Sequence, residues 1–130
     1  MRRLKVLAVD DHRLMLDAIR AVLGREDDIL LVAETDAGDK VVPLVGQTGP
    51  DVVLLDVRMP GMSGQELYRL ITERDEALAR RTVFVTGDTF GADTLDFLSA
   101  TGNPSLNKPL DVEELRRQIL RIREATHGPA

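Results

Sequence analysis

PDVVLLD, residues 50–56, sets four consecutive apolar residues between a turn-forming Pro50-Asp51 pair and the carboxylate of Asp56. So short an apolar run, bounded by turn residues and rich in valine, is expected to be a strand covered on both faces. A carboxylate that closes such a strand lies at its carboxyl end, the edge of an open parallel sheet where ligands bind. Three other segments repeat the pattern. Lys5–Val9 runs into Asp10 and Asp11, Val83–Val85 into Thr86, and Ser105–Asn107 into Lys108. Ile29–Ala33 is one more apolar run without a polar terminus of this kind.

Amphipathic segments separate the five runs. From His12 to about Leu23, Met15, Ile19 and Val22 form a helical stripe, and Gly24 is expected to close it. Asp39 to Val45 reads as a short helix ended by Gly46 and Gly49. Ser63 with Glu66 is a capping box that opens a helix carrying Leu67, Leu70 and Ile71. Leu95, Phe97 and Leu98 mark a fourth helix stopped by Gly102; Asp111 with Glu114 caps a fifth, striped by Leu115, Ile119 and Ile122. Strands alternating with helices imply parallel pairing through right-handed crossovers. The expected fold class is therefore α/β, a (βα)5 doubly wound parallel sheet of flavodoxin-like order 2-1-3-4-5. Residues 1–125 form one domain in this reading, and 126–130 are a tail or the start of a linker.

That strand order puts strands 1 and 3 side by side at the switch point, which brings Asp10, Asp11 and Asp56 together. Three crowded carboxylates repel unless a cation joins them. Mg²⁺ suits a site of few carboxylates completed by carbonyl, water and phosphate oxygens. Arg58, two residues past Asp56, is the candidate donor of a backbone carbonyl. Asp56 can act as a nucleophile towards phosphorus. Thr86 can donate to a phosphoryl oxygen beside the open approach left by Gly87, and Lys108 can neutralise such oxygens as a point charge. Plainer readings exist for each residue alone: Asp56 as a turn residue, Asp10 and Asp11 as helix caps, Thr86 as a β-branched strand residue, Lys108 as a solvated lysine. One cap needs only one aspartate, and the five residues together favour the site. No Gly-rich nucleotide loop occurs, so a phosphoryl donor has to arrive already activated.

Composition narrows the function classes. The chain has 130 residues, a net charge of −5 and no cysteine. Disulfides, thiolate metal sites and cysteine nucleophiles are excluded. An acidic chain with pI near 5.0 is a poor nucleic-acid binder. No signal-peptide core or membrane-length apolar run is found, so the expectation is a cytoplasmic location without membrane attachment. His12 and His127 are the two histidines, too few for a histidine-based metal site, and His12 reads as an exposed residue of a helix's first turn. Phe84, Phe90 and Phe97 read as core and interface filler rather than a stacking platform.

VDD at Val9–Asp11, LLDVRMPGMSG at Leu54–Gly64, VTG at Val85–Gly87 and KP at Lys108–Pro109 together resemble the receiver domain of two-component response regulators. The resemblance covers residues 4–123. It implies a phosphoacceptor signalling module rather than an enzyme with a separate substrate: Asp56 accepts a phosphoryl group from a histidine kinase or a histidine phosphotransfer protein. It implies Mg²⁺ held directly by Asp11 and Asp56 and by Asp10 largely through water, with Thr86 and Lys108 reading the phosphoryl group. Output would leave through the fourth helix, fifth strand and fifth helix, and the resemblance allows a phosphorylation-dependent homodimer. One position departs. Receivers usually carry an aromatic residue three positions before the lysine, whose rotation follows the threonine, and Ser105 stands there. With no ring to follow Thr86, the switch is expected in the Gly87–Gly91 loop and the start of the fourth helix. DDH and VAETDAG look like receivers joined to DNA-binding domains, whereas VTGDTF and TGNPSLNKP look like those of hybrid histidine kinases, so the segment stands alone or is excised from a larger protein. Two other classes compete with this reading. A Mg²⁺-dependent phosphatase with an aspartyl nucleophile commonly has a second Asp two residues on, where Arg58 stands. A degenerate receiver used only for docking is disfavoured by the complete residue set.

Overall fold

The structure is a computed structural model that describes residues 3–57, 63–87, 92–107 and 111–126. Five parallel strands form one sheet in the order β2-β1-β3-β4-β5. They are β1 (Leu4–Val9), β2 (Ile29–Thr35), β3 (Val52–Asp56), β4 (Thr82–Thr86) and β5 (Ser105–Asn107). The sheet is the doubly wound arrangement expected from the alternation of elements.

The period of two along each strand sorts the apolar residues into two cores. Leu4, Val6 and Ala8 of β1, with Val52 and Leu54 of β3, face α1 (Arg13–Leu23) and α6 (Val112–Thr126). Leu7, Val9, Val53 and Leu55 face the opposite layer of α2 (Val41–Thr48), α3 (Gly64–Arg74) and α4 (Glu76–Arg80). α5 (Ala92–Thr101) adds Phe97 and Leu98 to that second layer. Covering both faces leaves Val52–Leu55 buried throughout, which is why that stretch carries no polar residue. At its entry, Asp51 fixes β3 to β1: its backbone N–H donates to Lys5 O at 2.7 Å and its Oδ2 accepts from Lys5 N at 2.9 Å.

Both anticipated capping patterns form. Ser63 Oγ accepts from Glu66 N at 3.2 Å, and Asp111 Oδ1 accepts from Glu113 N at 2.9 Å and Glu114 N at 3.3 Å. Four local expectations need correction. α1 starts at Arg13, with His12 as an extended N-cap residue whose side chain makes no cap bond. Gly24 ends α1 in the right-handed region, so it does not act as a left-handed stop. α2 is not ended by Gly46; it continues to Thr48 and stops at Gly49, whose φ of 56° lies in the left-handed region that favours glycine. A Cβ at Gly46 would meet only the end of the Arg74 side chain, 2.9 Å from Nη2, which can move aside. Finally, α4 was not anticipated. Five residues are too few to show periodicity, but Asp75 Oδ1 accepts from Leu78 N at 3.0 Å, and Leu78 and Ala79 are buried.

Candidate functional site: an acidic cluster at the strand ends

β1 and β3 are direct neighbours in register, with Val9 opposite Leu55, so the residues that follow them emerge side by side. Asp10 and Asp56 are 2 % and 1 % exposed. Donor atoms of Asp10, Asp11, His12 and Asp56 all lie within 4.8 Å of one another. The helix-cap reading of the aspartate pair fails, because Asp10 Oδ1 takes the His12 backbone N–H at 2.8 Å and thereby shapes the loop ahead of α1. Asp11 Oδ1 is closed off from solvent and accepts no hydrogen bond. Oxygen donors crowded at this spacing suit a small hard divalent cation.

His12 belongs to this cluster, which sequence reasoning missed. Its Nδ1 lies 2.9 Å from Asp10 Oδ1, 3.1 Å from Asp11 Oδ1 and 3.8 Å from Asp56 Oδ2. The side chain is 61 % exposed, so the expectation of an exposed residue held, but the ring edge turns onto the carboxylates. The signal was present as adjacency: a residue directly after two aspartates at a strand end shares their loop.

Close backbone approach fixes the base of the site. Gly64 N donates to Val57 O at 2.9 Å, and a Cβ on Gly64 would fall 2.7 Å from Val57 Cα and 2.9 Å from Val57 O. The first turn of α3 thus rests on the backbone immediately after Asp56.

The β4–β5 side is arranged differently. Thr86 is buried, and its Oγ1 donates to Asn107 Oδ1 at 2.8 Å, with Leu106 O at 3.5 Å. Thr86 and Asn107 are register partners across the parallel pair, as are Phe84 and Ser105. Phe84 packs on Tyr68 and Phe97 with ring centroids 5.4 and 5.2 Å away, which bears out the core reading of Phe84 and Phe97. Arg58, Phe90, Lys108, Pro109 and most of the Gly87–Gly91 loop lie outside the described residues.

The response regulator receiver domain family matches residues 6–120. The chain belongs to that family. A nitrate/nitrite response regulator protein homolog of Haemophilus influenzae is 32% identical over 92% of this chain and 57% of its own length. A protein-glutamate methylesterase/protein-glutamine glutaminase of Pyrococcus horikoshii is 29% identical over 98% of this chain and 36% of its own length. A two-component response regulator of the LuxR family from Aurantimonas superposes with a TM-score of 0.81 at 27% identity, covering 95% of this chain and 86% of that one. The chain spans about half the length of the nitrate/nitrite regulators it matches. This receiver domain is thus a signalling domain of two-component systems with a phosphoacceptor function, and its acidic cluster is of the kind in which receivers bind Mg²⁺. Among the described residues, no helix is long and apolar enough to cross a membrane.

Proposed function

We propose that Asp56 is the phosphoacceptor and takes its phosphoryl group from a phosphohistidine on a histidine kinase or phosphotransfer protein. The convergence of Asp10, Asp11 and Asp56 at the ends of β1 and β3 carries this reading. One Asp56 carboxylate oxygen attacks phosphorus, the bond from phosphorus to the imidazole nitrogen breaks, and the nitrogen keeps the electron pair. The product is an acyl phosphate on Asp56 and a free histidine on the donor. Burial helps, because a carboxylate held in place by β3 has little solvent to reorganise as charge shifts.

Asp11, Asp56 and the Arg58 carbonyl would hold Mg²⁺ directly, and Asp10 would act largely through water. A bound Mg²⁺ supplies charge compensation for the carboxylates and the phosphoryl oxygens. Asp10 also holds the His12 N–H, so it shapes the loop that carries Asp11. Thr86 and Lys108 would then receive phosphoryl oxygens on the β4–β5 side. The surface of α5, β5 and α6 would pass the change to a partner or to a second copy.

Incubation with acetyl phosphate and Mg²⁺ tests the acceptor. The expected result is one acid-stable, base-labile phosphate per chain, lost in Asp56→Asn. Label that persists in Asp56→Asn at another residue overturns the assignment.

A further inference from the structure

We propose that Asn107 is the positioning residue for Thr86: it holds the Thr86 hydroxyl on β5 before phosphorylation and loses that bond when the phosphoryl group arrives. The inference rests on the acceptor reading of Asp56 given above. Its starting point is the 2.8 Å bond from Thr86 Oγ1 to Asn107 Oδ1. Thr86 has one hydroxyl proton, so it cannot serve Asn107 and a phosphoryl oxygen at once. Donating to the phosphoryl group requires giving up the bond to Asn107 Oδ1.

The position of Asn107 on β5 makes it suited to report that event. Along β5 only Leu106 is buried, so Ser105 and Asn107 share the opposite, exposed face. They lie opposite Phe84 and Thr86 of β4. Ser105 occupies the place where a receiver usually carries its rotating aromatic ring, and a serine hydroxyl offers no comparable bulk. Asn107 stands two residues closer to the site on the same face. A carboxamide that loses its donor on that exposed face changes the chemistry of the β5 surface without any ring rotation. Thr86 itself sits at the end of a row braced by Phe84, Phe97 and Tyr68, so its backbone is held while its side chain turns.

Beryllofluoride binding in the presence of Mg²⁺, followed by calorimetry, tests this on the whole chain. Wild-type protein is expected to bind. Asn107→Ala and the isosteric Asn107→Leu are expected to bind about fivefold tighter, the factor given by one neutral hydrogen bond that no longer opposes the turn of Thr86. In a Thr86→Ala background the same Asn107 substitutions are expected to change affinity by less than about twofold, because the bond they remove is already absent. The side-chain amide resonance of Asn107 should shift on beryllofluoride binding in the wild type and stay put in Thr86→Ala, a change that a merely structural asparagine would not show. Equal or weaker binding by both folded Asn107 variants overturns the proposal, as does an equal gain in the Thr86→Ala background. Absence of beryllofluoride binding by the folded wild type overturns the acceptor reading and this inference with it, whereas normal wild-type binding with unaltered variants overturns this inference alone.

Discussion

The two halves of the sheet's carboxyl edge are built on opposite terms. At β1 and β3, Asp10 and Asp56 are almost fully buried and converge with Asp11 and His12 in a space a few ångströms across. At β4 and β5, the buried Thr86 reaches sideways to the exposed Asn107, and the exposed Ser105 lies opposite Phe84. The first half gathers three carboxylates around the Nδ1 edge of one imidazole. In the second, the Thr86 hydroxyl already donates to Asn107 Oδ1, the bond proposed above to give way. On the proposed reading, a metal ion would act on the first half and a competing local bond on the second.

The largest way to break this contrast is at Gly64. A Cβ there meets backbone atoms of Val57 at under 3.0 Å, and backbone cannot step aside as a flexible side chain does. Gly64→Ala should cost about 1–3 kcal/mol in denaturant unfolding and cut Asp56 labelling by roughly tenfold, while the Thr86–Asn107 bond persists in side-chain NMR. Normal labelling in a destabilised Gly64→Ala would show that α3 does not position the acceptor.

Separating Asp10 from Asp11 sharpens the comparison further. Asp11→Ala should weaken Mg²⁺ binding more than Asp10→Ala, read by calorimetry. Asp10→Ala should instead lower unfolding stability by about 1 kcal/mol in metal-free buffer, since the His12 N–H loses its acceptor. Reversed losses would exchange the two roles.

A subtler effect is expected in hydrogen exchange. Beryllofluoride should alter the Gly87–Gly91 loop, the start of α5 and the amides beside Asn107, and leave α2 unchanged. Changes confined to α1 and α2 would place the switch in the acidic half instead.

The smallest effect belongs to His12. Its ring nitrogen lies against the carboxylate cluster, while the side chain is 61 % exposed. His12→Ala should raise Mg²⁺ affinity by no more than about threefold, the scale of contacts made by a side chain that is itself mostly exposed. A loss of tenfold or more would make the imidazole part of the metal's own shell.

Much of this arrangement was legible before any coordinates. Apolar runs of three or four residues closed by Asp56, Thr86 or the Asp10-Asp11 pair located the strands, and five strands alternating with amphipathic helices implied the order observed. Burial on both faces forces such runs, so a one-dimensional pattern is enough to reveal them. Capping at Ser63 and Asp111 was equally readable, because a cap joins residues two or three apart. The five-residue α4 escaped notice for the converse reason: its helix is too short for a period and is held by burial of Leu78 and Ala79.

By itself, then, the sequence determined the sheet, the core and the convergence of Asp10, Asp11 and Asp56, since all three follow from hydrophobic period and strand order. Only the tertiary structure decided that His12 turns onto the carboxylates, that Gly64 rests against Val57, and that the Thr86 hydroxyl belongs to Asn107 twenty-one residues further along. These last contacts are choices among rotamers and close approaches, and strand register across β4 and β5 has to be in place before Asn107 can stand opposite Thr86.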